Sequence, residues 1–224
     1  MLSVVWLVVS VSRGEILTAA VVAGGAVFSF GMVSLLLRVA AKRVSIRVNV
    51  RDGVMLRPDR RVDVSLMLAT AGLWGAMALY AICAPLGLVE VSLPYGDRAF
   101  SVWIAVAGVL IGLPSLKQIF VKRGMSYVLL SPKGFELGST VGSTAYAWGE
   151  LADVSDTPTG RARPISTGTT YLTMLSGRTR TLPSDWYTPG GSELRKLLRF
   201  YWQHPENRDE LTDRRTVARL GNLL

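Results

Sequence analysis

Three stretches without a charged side chain, residues 16–37, 64–84 and 99–116, run for 22, 21 and 18 residues. A helix needs roughly 20 apolar residues to cross a hydrocarbon core of ~30 Å. The first two stretches meet that length outright. The third reaches about residue 120 if Lys117 buries its methylene stem and leaves its ammonium at the headgroups. A chain of 224 residues has too little remaining mass to cover three helices that are apolar all round. The expected class is therefore an α+β membrane protein, with three transmembrane helices followed by a small antiparallel β-barrel or sheet closed by a C-terminal helix.

Composition supports two regions that answer to different solvents. The apolar excess lies before about Phe120, and the remainder has the Gly/Ser/Thr-punctuated mixture of a globular domain. The expected organisation is a region 1–124 holding the helices and a basic hairpin loop 38–63, a domain 125–211, and a polar, basic tail 212–224.

Orientation follows from the flanking cations, because basic loops resist translocation. Between the first two spans lie Arg38, Lys42, Arg43, Arg47, Arg51, Arg57, Arg60 and Arg61; between the second and third there is only Arg98, beside Glu90 and Asp97. Lys117, Lys122 and Arg123 follow the third. This alternation predicts a multi-pass cell-membrane protein with the N-terminus outside and the basic loop and C-terminal domain in the cytoplasm. Residues 1–12 are apolar but too short to span, and have no basic segment before them or small-residue cleavage site after them. They either lie at the interface or pack beside the first span.

Small residues recur at the four-residue spacing that lets helix backbones approach in lipid. Gly108-Val-Leu-Ile-Gly112 is one instance; Ala20 with Gly24, Ala71 with Gly75, and Gly72 with Ala76 are others. Gly24, Gly72, Gly75, Gly108 and Gly112 are thus candidate helix-packing positions, within this three-helix unit or against another subunit. Pro85 and Pro114 mark places for a helix end or kink. No Asp, Glu, Lys, Arg or His interrupts the uncharged spans, which argues against an ion pathway or proton relay.

In the basic loop, Ile46, Val48 and Val50 alternate with polar residues, Asp52-Gly53 supplies a hairpin turn, and Val54 and Leu56 resume the pattern. A lone hairpin is marginal in water. This one is expected to dock on the C-terminal domain, on the bilayer surface, or on both.

Beyond Met125 the signals are of short strands: 127–130, 135–137, 144–148, 151–155, 171–175 and 178–182, with turns at Ser131-Pro-Lys-Gly134 and Ser176-Gly177. Ser192 is placed to cap a helix whose Leu194, Leu197, Leu198 and Tyr201 share one face, ending at His204-Pro205. Leu130-Ser-Pro-Lys-Gly-Phe-Glu-Leu137, Trp148-Gly-Glu-Leu-Ala-Asp-Val154 and Tyr201-Trp-Gln-His-Pro-Glu-Asn-Arg-Asp-Glu-Leu211 occur in an order that resembles the bacterial pleckstrin-homology-like domains joined to membrane helices. The resemblance covers about residues 125–211. It implies a bent sheet of about seven strands plugged at one end by the helix; it does not imply a catalytic activity, and ligands vary within that group.

Chemistry is sparse. Cys83 and His204 are the single Cys and the single His, so neither a His/Cys zinc site nor the usual nucleophile–base dyad can be assembled. Cys83 reads as a small buried hydrophobe, and Tyr146 and Trp148 as core residues of one strand face. Asp153 with Asp156, and Asp209 with Glu210 and Asp213, fall on expected solvated faces. No P-loop, dinucleotide fingerprint or nucleophile-elbow motif is present. No cofactor or metal is expected. The net charge of +9 suggests nucleic acid at first sight, but the domain after Met125 interleaves its cations with ten carboxylates, and positive-inside bias accounts for the rest. The expected partners are the lipid bilayer and a membrane protein or a second copy, in a non-catalytic scaffold or accessory subunit. The alternative is a binder of anionic headgroups through Arg161, Arg163, Lys122, Arg123, Arg57, Arg60 and Arg61.

Overall fold

The computed structural model describes residues 15–50, 53–89, 97–122, 124, 126–139, 142–158, 168–213 and 215–222, excluding the side chains of 118 and 120–122. They form an α+β chain in two compact units, one of Met1–Leu35 and Val64–Met125, the other of Leu36–Asp63 and Ser126–Leu224.

The first unit is built from α1 (Ile16–Ala40), α2 (Arg60–Cys83) and α3 (Arg98–Lys122), apart from the last turn of α1 and the first turn of α2. All three helices are long and apolar enough to cross a membrane. Each is longer than its uncharged stretch. The termini take in polar residues such as Arg38, Arg60, Arg61 and Lys117 without breaking the backbone ladder. Phe30, Leu36, Leu37, Leu68, Trp103, Leu110 and Ile111 are all more than half exposed in the chain by itself. Pro114 lies inside α3, which continues to Lys122, whereas α2 stops two residues short of Pro85.

In the second unit, strands β1 (Arg47–Val50), β2 (Val54–Arg57), β3 (Tyr127–Ser131), β4 (Gly134–Gly138) and β5 (Ser143–Ala147) form one antiparallel sheet in that order. Strands β6 (Leu151–Ser155), β7 (Thr169–Met174) and β8 (Thr179–Pro183) form a second. The hairpin of the basic loop is thus neither separate nor merely docked: β2 pairs with β3, placing Val54 opposite Leu130 and Leu56 opposite Val128, all four fully buried. Its turn requires Gly53, because a Cβ there would lie 2.5 Å from the carbonyl oxygen of Leu130. Asp52 lies outside the described residues. Residues 38–63 therefore fold with the C-terminal domain rather than with the helices.

The expected barrel is not closed; eight strands divide between two sheets, the chain crossing from one to the other at a 3₁₀ turn, Trp148–Glu150. Trp148 therefore leaves the strand expected to carry it. It still reaches the core, 2% exposed, with its indole N–H donating to the carbonyl of Ser131 at 2.9 Å. Tyr146 is only half-buried, stacked on Phe135 at 5.4 Å.

Helix α4 (Ser192–Gln203) fills the space between the sheets with Leu194, Leu197, Leu198 and Tyr201, each at 0% exposure and at the i, i+3, i+4, i+7 spacing of one face. Burying each leucine contributes roughly 1.5–3 kcal/mol. Ser192 is the first helical residue rather than the cap; Gly191 at φ 76° precedes it, a backbone region that favours glycine. The expected polar tail is folded too. A 3₁₀ segment, Pro205–Thr212, leads to α5 (Arg215–Asn222), whose Thr216 and Leu220 are buried along with Leu211. Arg219 grips Glu210 with two bonds of 2.8 and 2.7 Å, and the Tyr201 hydroxyl lies 3.0 Å from that of Thr216.

Candidate functional site

The expected helix-packing glycines separate into contacts and bystanders. A Cβ on Gly24 would lie 2.6 Å from the carbonyl oxygen of Gly72, and one on Gly72 would lie 2.8 Å from Val27, so α1 and α2 touch backbone to backbone here. Gly31 belongs to the same seam, against Ala69 and the carbonyl of Ser65, and the four-residue spacing search did not find it. Gly108 makes room for Met77 and Gly112 for Trp74, whose indole N–H donates to the carbonyl of Val109 at 3.1 Å; this joins α2 to α3. A Cβ on Gly75 would meet nothing within 4 Å among the described residues. Cys83 is buried beside Tyr80, Ala84, Val89 and Ala105, as expected for a small hydrophobe.

Asp59 organises the basic hairpin. It is the N-cap of α2: its carboxylate accepts the N–H of Arg61 at 2.7 Å and, from the other side of the hairpin, the N–H of Ser45 at 2.8 Å. Its own N–H donates to the carbonyl of Trp186 at 3.0 Å. Burial pushes this carboxyl up, but the N–H groups of Ser45, Arg61 and Val62 outweigh burial and hold it below the ordinary aspartate value.

Cations flank the two segments that Asp59 joins. Lys42 and Arg43 follow the end of α1, and Arg60 and Arg61 begin α2; all four are exposed, and Asp59 binds the backbone beside each pair. Arg47 is exposed on β1 and Arg57 half-buried at the end of β2. The ion pairs between described side chains are Arg195 with Asp156, Arg215 with Asp213, and Arg219 with Glu210, so none of these six cations has a carboxylate partner among the described residues. Arg161, Arg163 and Arg123 lie outside the described residues, and of Lys122 only the backbone, at the end of α3, is described.

Lys42 is a residue that charge counting alone does not single out. The helix end is a Schellman closure, with Arg43 N–H bonding Arg38 C=O and Lys42 N–H bonding Val39 C=O, both at 3.0 Å. The position Lys42 occupies, at φ 53°, is one where glycine is usual. A side chain there costs roughly 1–2 kcal/mol. A glycine at this position would remove both the strain and the charge.

A second feature surrounds Tyr146 on β5. On one face of the sheet a depression of about 290 Å³ is lined by Leu129, Lys133, Gly134, Ala145 and Ala147 among others. A cavity of about 400 Å³, bordered by Tyr146, Glu150, Met174, Leu175, Arg178 and Arg180, lies where β5 meets the β7–β8 hairpin. Leu175 at that hairpin tip is 72% exposed. Comparison with protein-family models, curated proteins and solved structures yields no match to this chain.

Proposed function

We propose that the chain is a non-catalytic integral membrane protein, a scaffold or accessory subunit whose helices hold it in a larger membrane assembly and whose strand-rich unit meets a partner in the cytoplasm. The observation that carries this reading is the contrast between the two units. Helices α1–α3 leave long apolar side chains exposed while packing through glycine seams, and the other unit buries its apolar residues in a core of its own. The basic hairpin favours the cytoplasmic side, and the order of short strands before a terminal helix supports kinship with pleckstrin-homology-like domains. Alkaline carbonate washing followed by blue-native electrophoresis after mild solubilisation tests the proposal. The expected result is retention in the membrane pellet and migration in a larger complex. Release by carbonate, or migration only as an isolated monomer with no co-purifying protein, contradicts it.

The cations flanking those segments favour a second reading, in which the unit binds anionic headgroups. Each Lys or Arg held at an anionic surface contributes about 1 kcal/mol, screened over a Debye length of about 8 Å at physiological salt. Lys42, Arg43, Arg60 and Arg61, exposed and without a carboxylate partner among the described residues, flank the two backbone N–H groups that Asp59 binds, and Lys42 holds a left-handed backbone; these features support an anionic-lipid contact. Reconstitution into nanodiscs with and without phosphatidylglycerol, read as lipid co-purification across salt, separates the two readings; recovery indifferent to headgroup charge and salt removes the second.

A further inference from the structure

A sheet edge left open invites pairing, and proteins block edges with charge, proline, short length or a covering element. Three of the four edges in this unit are blocked. Strand β1 has only four residues and opens with Arg47. Strand β8 carries Arg180 and ends at Pro183. Strand β6 is covered by α4, from which Trp202 Nε1 donates to the carbonyl of Leu151 at 3.1 Å and Arg199 donates to that of Val154.

Strand β5 has none of these devices. Its sequence is Ser-Thr-Ala-Tyr-Ala, without charge or proline, and every residue except Tyr146 is exposed. Ser139 and Gly142 exchange both backbone hydrogen bonds across the β4–β5 turn. Antiparallel ladders alternate, so Thr144 and Tyr146 bond inward to β4 while Ser143 and Ala145 turn their N–H and C=O groups outward, and Ala147 caps the 3₁₀ turn that follows. No turn, loop or cap bond among the described residues reaches Ser143 or Ala145.

We propose that β5 is the docking edge for an extended acidic segment of a partner protein, which adds to the five-stranded sheet as a sixth, antiparallel or parallel strand. Side chains of an added strand alternate between the two faces of the sheet. A recess adjoins β5 for each: the trough formed by Gly134, Ala145 and Ala147, and the cavity bounded by Tyr146, Met174 and Arg180. In the cavity Arg178 and Arg180 stand against the single carboxylate of Glu150, and Arg180 lies over the Tyr146 ring at 5.9 Å. That surplus selects an acidic side chain on this face. A second copy pairing through its own β5 brings no carboxylate, since the strand has none. The inference rests on the reading of this unit as a partner-binding module and supplies the partner's chemistry.

The test uses the full chain in nanodiscs and the fluorescent heptapeptide Thr-Val-Glu-Val-Glu-Val-Thr, with a lysine-for-glutamate version as control. The acidic peptide is expected to bind at least about tenfold more tightly than the basic one, and to slow amide exchange across residues 143–147. Ala145→Pro removes an outward N–H without removing a bond to β4, and abolishes binding. The double change Arg178→Glu with Arg180→Glu leaves the edge intact and reverses the peptide preference, which keeps the test decisive if the proline variant misfolds. Equal binding of both peptides, protection elsewhere than 143–147, slow exchange of that segment in the free protein, or β5-mediated dimers each overturn the proposal. Such a failure leaves carbonate resistance and complex migration untouched, so it is distinguishable from failure of the membrane-scaffold reading.

Discussion

Replacing Asp59 by alanine opens the junction between α2 and the sheet. The aspartate is 5% exposed and makes two kinds of contact whose losses are separable. As N-cap it satisfies the N–H of Arg61, and losing such a cap costs ~1 kcal/mol, within a range of about 0.5–2. As the acceptor for Ser45 it holds the start of the hairpin, a partly exposed bond to a charged group that contributes about 1 kcal/mol or slightly more. The favourable placement of a carboxylate at a helix N-terminus adds about 0.5 kcal/mol. Together these come to roughly 2–3 kcal/mol, about a 30- to 150-fold change in an opening equilibrium. Hydrogen-exchange mass spectrometry of the protein in nanodiscs reads this directly: peptides covering β1 and β2 should exchange faster by that factor, with α3 unaffected. Asp59→Asn keeps one acceptor oxygen and the helix cap, and should fall between wild type and alanine. A change of less than threefold in Asp59→Ala, or one spread equally over all helices, refutes the argument that this side chain clasps the hairpin.

The aspartate also sets a pH dependence. Its carboxyl is held below the ordinary aspartate value, so its contribution is complete above the unfolded value and is lost as pH falls through the lower folded value; hairpin exchange in wild type, taken relative to the intrinsic amide rate at each pH, should rise below about pH 4, and that rise should vanish in Asp59→Asn. Lys42→Gly relieves a left-handed lysine, so the strand-rich unit should gain about 1 kcal/mol in denaturant titration while retention of phosphatidylglycerol weakens. Gly24→Leu drives a side chain into the backbone of Gly72 and should destabilise the α1–α2 seam by at least about 1–3 kcal/mol, lowering detergent melting temperature, whereas Gly75→Leu should leave it within error. Arg219→Ala removes both bonds to Glu210, which burial raises but Arg219 holds below the usual glutamate range; α5 should become accessible to limited proteolysis while α4 stays protected.

The long helices were legible because a run without charge has few folded interpretations. The hairpin strands were legible as alternation, and Val54 and Leu56, which resume the apolar pattern, are fully buried. Alternation names a face but not a neighbour. For that reason the hairpin's partner remained open until β2 was found beside β3, although 69 residues separate Arg57 from Tyr127. Trp148 is expected to continue β5 and instead opens the 3₁₀ turn, Trp148–Glu150, that leads into the second sheet. Helix α5 escaped notice because Thr216 and Leu220 make a single i, i+4 pair in a polar octet; its stability depends on Leu211, Tyr201 and Glu210, which are distant enough that local periodicity does not register them. Among the candidate cations, positive-inside counting singles out Arg57, Arg60 and Arg61, but not that Asp59 ties the backbone of Ser45 to that of Arg61.

Membrane insertion with the hairpin and the strand-rich unit on the cytoplasmic side is the claim on which the rest depends. It is tested most directly by thiol accessibility in intact cells carrying Cys83→Ala. Single changes Asn49→Cys on β1 and Lys133→Cys at the β3–β4 turn, both exposed positions, should resist a membrane-impermeant maleimide until the cells are lysed; Asp97→Cys, before α3, should label in intact cells. Labelling of Asn49→Cys and Lys133→Cys in intact cells with protection of Asp97→Cys inverts the chain and contradicts the account.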